Sequence, residues 1–231
     1  TTGTNNTAVG GYAMQTNSTG SQNTAIGYVA LTANTTGTKN VAIGNQALDA
    51  AQSSSYNTAV GDNALSALTT GSSSVGIGYA ALALNTSGTE NVGIGRTALY
   101  ANTTGSNNTA CGKDSLANNS TGSGNTGIGK AALIATTTGE YNTALGLNAL
   151  YTNTTASANT AIGYGALFSS STAGNNSGFG AYSLYSNTTG TNNVGIGYYA
   201  LYDNTTGTQQ TAVGASALAN TTTGSYNTAL G

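Results

Sequence analysis

Large apolar side chains fall in two rows along this chain, and both rows advance by 17 residues. The first comprises Val9, Ile26, Ile43, Val60, Ile77, Ile94, Cys111, Ile128, Leu145, Ile162, Phe179, Ile196, Val213 and Leu230, each followed by glycine, or closing on it, at the same point of the period. The second lies five residues further on, as Met14 and then Leu31, Leu48, Leu65, Leu82, Leu99, Leu116, Leu133, Leu150, Leu167, Leu184, Leu201 and Leu218. A fixed short period with no insertion is the pattern of a repeat protein in which each unit packs mainly on its neighbours. The 231 residues therefore read as a single tandem-repeat array, 1–231.

Within one unit, Asn23-Thr24-Ala25-Ile26 alternates large and small residues, which predicts a short strand with Thr24 and Ile26 on one face and Ala25 on the other. On size alone the Thr24/Ile26 face is taken as the core face, with Ile26, Ile43 and Ile94 in one core row and Leu31, Leu48 and Leu99 in the other. Gly27, Gly44, Gly61, Gly78 and Gly95 read as the corner after each strand, because glycine tolerates positive φ and close backbone approach. A second extended piece, Tyr28-Val29-Ala30-Leu31, is predicted after the corner, and Asn, Thr, Ser and Gly then close the coil by turn chemistry. No 3.6-residue apolar spacing persists, so helix is not expected.

A 17-residue unit cannot bury its own apolar face, and stacking solves that. The predicted fold is all-β, a parallel β-solenoid or β-roll with one repeat per coil and about 13 coils, identical positions lying above one another. The Ala25 position holds only Ala or Gly and the Ala30 position only Ala or Ser. Two readings of these small rows fit equally: the opposite wall of a narrow coil, or the face of a neighbouring chain.

Composition narrows the chemistry. The chain has no His, no Pro, no Trp and one Cys, with four basic and six acidic residues. Lys39, Arg96, Lys113 and Lys130 form no basic stripe, which argues against nucleic acid as a partner. No apolar run is long enough to span a bilayer and no signal-peptide pattern opens the segment, so no membrane insertion by this segment is expected. Cys111 stands in the Ile/Val row and reads as a small buried hydrophobe. Asp49, Asp62, Glu90, Asp114, Glu140 and Asp203 have no paired spacing and read as solvated surface. Val75-Gly76-Ile77-Gly78 imitates a phosphate loop but occupies the strand position of other copies. With no nucleophile–base pair and no metal-ligand cluster, no catalytic residue, cofactor or metal is expected, and the chain reads as a non-enzyme.

Three surface features carry the remaining expectations. Asn-Thr-Thr-Gly segments at Asn34, Thr35 and Thr36, Asn102, Thr103 and Thr104, Asn153, Asn187, Thr188 and Thr189, and Asn204, Thr205 and Thr206 are candidate glycan attachment sites, or simply turn formers. Thr-Gly-Thr steps, as at Thr36–Thr38 and Thr206–Thr208, place hydroxyls as ice-binding solenoids do, although the central glycine favours a bend. Tyr28, Tyr79, Tyr164 and Tyr198 follow the corner, and Tyr100, Tyr151, Tyr185 and Tyr202 follow the Leu row, where aromatic rings pack between chains or stack on sugars.

The unit Asn40-Val41-Ala42-Ile43-Gly44, like Asn193-Val194-Gly195-Ile196-Gly197, resembles the head repeats of trimeric autotransporter adhesins of the YadA type, and similar repeats occur in phage tail-fibre-like proteins. The 17-residue period is longer than the family repeat, the difference lying in the Asn-Thr-Thr-Gly segment. The resemblance implies a left-handed parallel β-roll, three chains side by side, a bacterial cell surface and adhesion to host matrix or other cells. The expected function is an extracellular structural fibre, filament segment or adhesin shaft. Its expected partners are copies of itself, as a trimer or an end-to-end filament, and host matrix or carbohydrate. The alternative is a ligand-binding solenoid that takes carbohydrate, or ice through its Thr rows. The segment opens in a turn and ends on a corner glycine without capping repeats, which reads as a window of a longer array or as head-to-tail stacking.

Overall fold

The computed structural model describes residues 2–231, in two compact units, Thr1–Asp114 and Ser115–Gly231. The same coil builds both, and the fold is all-β: a parallel β-solenoid with a 17-residue period and no helix among the described residues. The first unit holds β1 (Thr7–Val9), β2 (Thr24–Ile26), β3 (Val41–Ile43), β4 (Thr58–Val60), β5 (Val75–Ile77), β6 (Val92–Ile94) and β7 (Thr109–Cys111). The second holds β8 (Thr126–Ile128), β9 (Thr143–Leu145), β10 (Thr160–Ile162), β11 (Ser177–Phe179), β12 (Val194–Ile196), β13 (Thr211–Val213) and β14 (Thr228–Leu230). Within each unit neighbouring strands pair in parallel with each residue opposite its counterpart one repeat on, as Thr24↔Val41, Ala25↔Ala42 and Ile26↔Ile43.

The strands face the other way from the expectation drawn on side-chain size. Ala25 is fully buried, whereas Ile26 is 39% exposed and Ile43 37%, and the same holds for Ile94 at 38%. Ile26, Ile43 and Ile94 are therefore not core; Leu31, Leu48 and Leu99 are, with no accessible surface. The cause is the width of the coil. At Gly76, which takes the Ala25 position, an added Cβ would lie 3.1 Å from Leu65 Cγ and 3.2 Å from the Ala81 carbonyl oxygen. A methyl group fills that gap and an Ile side chain would not fit, so the small row turns inward. In strands this short a one-residue change of facing exchanges the whole apolar set between core and solvent. The Ala25 and Ala30 rows line the chain's own interior, which decides between the two readings of the small residues.

The segment after each corner is not extended. Val29 and Leu31 have φ of 60° and 51°, Lys39 has φ of 58°, and the same three places in other coils are also left-handed, so each coil bends at three such residues as well as at its glycine. A non-glycine residue there costs about 1–2 kcal/mol. The stack offsets this by giving each strained amide a partner: Val29 N–H donates to the Gly11 carbonyl at 2.9 Å, Leu31 N–H to Ala47 at 2.9 Å and Lys39 N–H to Ser21 at 3.1 Å. Corner glycines such as Gly27 (φ 141°) add a second demand, since a Cβ would sit 2.3 Å from the Gly44 carbonyl oxygen of the next coil. That contact excludes every other residue at the corner.

Amide side chains share the interior with the aliphatic ones. Asn23, Asn40 and Asn57 in the first unit, and Asn142, Asn159 and Asn176 in the second, are buried just before the strand. Each side chain spans its own coil and reaches the next. Asn159 Nδ2 donates to the Ala173 carbonyl at 2.8 Å, and its Oδ1 accepts from Asn176 N–H at 2.9 Å. Asn142 repeats both contacts, to the Ala156 carbonyl at 2.8 Å and from Asn159 N–H at 3.0 Å. One asparagine thus satisfies a buried carbonyl and a buried amide that have no water available.

Two consequences are measurable by denaturant or thermal unfolding. Asn159→Ala orphans both the Ala173 carbonyl and the Asn176 amide and should cost about 2–4 kcal/mol, while Asn159→Asp, which brings a charge and loses the donor, should cost at least as much. Exposed Ala158 has φ of 60° at a place where Gly124 (φ 69°) stands two coils earlier, so Ala158→Gly should stabilise by up to about 1 kcal/mol.

Candidate functional surfaces

The Asn-Thr-Thr-Gly segments turn their asparagines into the coil. Asn34, Asn102, Asn153, Asn187 and Asn204 are all buried. Asn34 Nδ2 donates to Asn17 Oδ1 at 2.8 Å and to the Gly37 carbonyl at 3.1 Å, and Asn102 Nδ2 to Asn85 Oδ1 and the Gly105 carbonyl, both at 2.9 Å. Asn204 Nδ2 has the same pair, Asn187 Oδ1 at 2.9 Å and the Gly207 carbonyl at 3.1 Å. Asn187 Nδ2 donates to Gly190 at 2.9 Å, and Asn153 Nδ2 to Thr136 Oγ1 at 3.3 Å and Ala156 at 3.2 Å. These nitrogens are engaged inside the fold, where the five asparagines form a second interior ladder rather than a solvent-facing row.

The threonines that follow divide by position. Thr35, Thr103, Thr188 and Thr205 are partly buried, and the hydroxyls of Thr35, Thr188 and Thr205 donate to the carbonyls of Gln52, Thr205 and Thr222, each at 3.0 Å. Thr36, Thr104, Thr189 and Thr206 are exposed. Gly44, Gly61, Gly78 and Gly95 hold the corner as Gly27 does, with φ between 126° and 139°.

Where the asparagine ladder is interrupted, an acceptor is stranded. The residue above Asn34 is Ala51, so no amide reaches Asn34 Oδ1, which is buried without a partner; Asn153 Oδ1, below Ser170, is in the same position.

Turning the strands over leaves their large residues outside. In the first unit Val9, Ile26, Ile43, Ile77 and Ile94 line an open apolar row with Cys111, which is exposed rather than a buried hydrophobe because its whole row faces out. In the second, Ile128, Leu145, Phe179, Ile196 and Leu230 do the same. Two residues earlier along each strand, Thr24, Val41, Thr58 and Val75 are half-buried and share that face. No charged residue lies within any strand, so each unit presents an uncharged ladder of apolar and threonine side chains.

The tyrosines form a second surface, in the second unit. Tyr151, Phe168, Tyr185 and Tyr202 stack in order with ring centroids 4.9, 5.0 and 5.3 Å apart and planes within 17° of parallel. Beside them Tyr182 and Tyr199 stack at 5.2 Å. Phe168 and Tyr182 were not among the residues singled out by sequence. The signal for Phe168 was its place 17 residues from both Tyr151 and Tyr185.

Charge is sparse and local. Lys113 Nζ lies 3.4 Å from Asp114 Oδ2, and Asp114 also accepts from the Thr97 hydroxyl. Burial raises the Asp114 carboxyl but is outweighed by Thr97 and Lys113, which hold it below the usual range. Lys39 Nζ lies 4.8 Å from the centre of the Tyr56 ring. Asp49 is half-buried in the row that carries Tyr151, and loss of solvation raises its carboxyl above the ordinary 3.8 against the backbone bonds that lower it. Among the described residues no cluster of metal-ligating side chains forms, and no helix is long and apolar enough to cross a membrane.

Comparison with protein-family models gives no match, and no curated protein matches in sequence.

The Asp49 carboxyl has a pH signature with a definite sign. A folded value above the unfolded one means that folding disfavours the anion; the penalty is full above the raised value and vanishes well below 3.8. Asp49→Asn should therefore be more stable than the parent at pH 7, and the difference should close as the pH falls below 3.8, as followed by thermal unfolding across that range.

Proposed function

We propose that this chain is a structural repeat segment of an extracellular or cell-surface fibre or adhesin shaft, and that it associates with further copies of itself through the outward Ile/Val/Thr face of its strands. The observation that carries this reading is that face: an apolar residue, most often Ile or Val, stands on the outside of the strand at every repeat while leucine, alanine and asparagine fill the inside. Exposed apolar ladders on a flat sheet mark association surfaces. A second copy is the fitting occupant because its own face has the same 17-residue step and the same lack of charge, so rungs can meet rungs along the length of a unit. The similarity to adhesin head repeats supports a side-by-side trimer as the assembly.

Adhesion to host matrix or another surface would then be distributed over repeated loops, each weak and collectively multivalent. The exposed Thr36, Thr104, Thr189 and Thr206 hydroxyls are the places where such loops could carry O-linked sugar or contact a partner. Ice binding through the threonine rows has less support, because the Thr35, Thr188 and Thr205 hydroxyls already donate to carbonyls of the neighbouring coil.

Sedimentation tests the reading. The parent chain should sediment as an oligomer at micromolar concentration, and the double variant Ile43→Lys/Ile94→Lys should dissociate, with association weakened roughly a hundredfold or more, because each ammonium would be desolvated in the contact. Circular dichroism should be unchanged, since both residues lie outside the coil. A parent chain that stays monomeric, or a variant that associates as tightly, would remove the basis for self-assembly through this face.

A further inference from the structure

The two aromatic ladders of the second unit are not equally complete. The Phe168 ladder has a ring at every coil from Tyr151 to Tyr202. The parallel row runs Asn148, Gly165, Tyr182, Tyr199, so the rung below Tyr182 is glycine. A cavity of about 120 Å³ opens there, lined by Asn148, Tyr164, Gly165, Phe168, Tyr182 and Tyr185. A Cβ at Gly165 would come to 3.4 Å from Tyr182 Cδ1 and 3.5 Å from Tyr185 Cε2, which is ordinary contact, so the backbone leaves room for a side chain and none is present.

We propose that this notch binds the pyranose ring of a neutral carbohydrate. Tyr182 stacks on Tyr199 at 5.2 Å, and the Cδ1–Cε1 side of its ring borders the empty rung at Gly165. Tyr164 stands edge-on to Tyr182 at 5.0 Å and 90°, closing one side, while the Phe168–Tyr185 pair closes another. The remaining wall is Asn148, whose amide offers a donor and an acceptor. A pyranose has one C–H face and a rim of hydroxyls, and it matches a pocket with an aromatic platform on one side and polar groups on the other. A planar aromatic ligand would need a second apolar face where Asn148 stands.

Charge and size point the same way. No Lys, Arg, Asp or Glu lines the notch, so it has nothing to pair with an ionic ligand. Loss of solvation among the rings, followed by its hydrogen bond with Tyr164, holds the Tyr182 phenol above its ordinary value, and it stays a neutral hydroxyl. The space equals that of about four water molecules in the liquid, which the buried face of a sugar ring would displace while its rim stays in solvent. This inference does not rest on self-association, and its test reads a different property.

The test is NMR titration of the full chain with the methyl glycosides of glucose, galactose, mannose and N-acetylglucosamine. At least one should saturate with a Kd on the order of 1 mM, the range for a ligand of so few atoms, with shifts concentrated at Gly165, Phe168 and Tyr182. Gly165→Tyr fills the rung and should weaken binding by about tenfold or more. Its backbone is compatible, because Tyr182 and Tyr199 adopt the same conformation with φ of 57°. Tyr182→Ala should lose binding as well, whereas Ser216→Tyr, a ring added to the same row away from the notch, should leave it unchanged. The proposal is overturned if no glycoside saturates, if Gly165→Tyr binds as the parent does, or if phenol or indole occupies the notch in preference to every glycoside.

Discussion

The constraint on which everything else depends is that a 17-residue coil is too narrow to hold more than a thin hydrophobic core. Across its interior there is room for a leucine, two alanines and little more, as the 3.1 Å clearance between the Gly76 position and Leu65 makes plain. The buried backbone must then be satisfied by polar groups that stay inside, and asparagine meets that need with a donor and an acceptor on one short side chain. Asn142 and Asn159 each tie a carbonyl of their own coil to an amide of the next. These hydrogen bonds fix one coil at its register on another, and the left-handed residues are tolerated because the same stack gives their amides a partner.

The outer surface follows from that interior. Since the inward position of each strand has no room for Ile or Val, these stand outside in rows, and the repeat turns a packing limit into a long apolar face. Interior and exterior are thus two consequences of one dimension. The aromatic ladders obey the same rule of identical positions stacked one repeat apart, and the cavity at Gly165 lies where the shorter of them ends.

Much of this was legible before the structure. The period, the parallel in-register stacking, the Leu31 row and the corner at Gly27 all follow from spacing. The facing of the strands did not, because a three-residue strand such as Thr24–Ile26 alternates equally well in either direction and bulk alone favoured Ile26 as core. Counting interior volume, rather than ranking residues by hydrophobicity, would have turned it over. Asparagine in the Asn34 segments was read as a turn former, which is its usual role, and the Asn40 position only as the start of a strand, yet there the exceptions are Ser74 and Gln210 and never a charged residue, a restriction that a solvated strand end does not impose. The extended reading of Tyr28–Leu31 failed because left-handed leucine is rare and only a neighbouring coil makes it tolerable.

The central claim is that asparagine amides lie inside and isoleucines outside. The most direct measurement is side-chain amide hydrogen exchange by NMR on protein labelled with ¹⁵N-asparagine. The Nδ2 protons of Asn23, Asn40, Asn142 and Asn159 should exchange only through unfolding of the coil, far more slowly than those of exposed Asn107 and Asn192. If the buried-row amides exchange as fast as the exposed ones, the amide ladder does not exist and the coil must be packed the other way round.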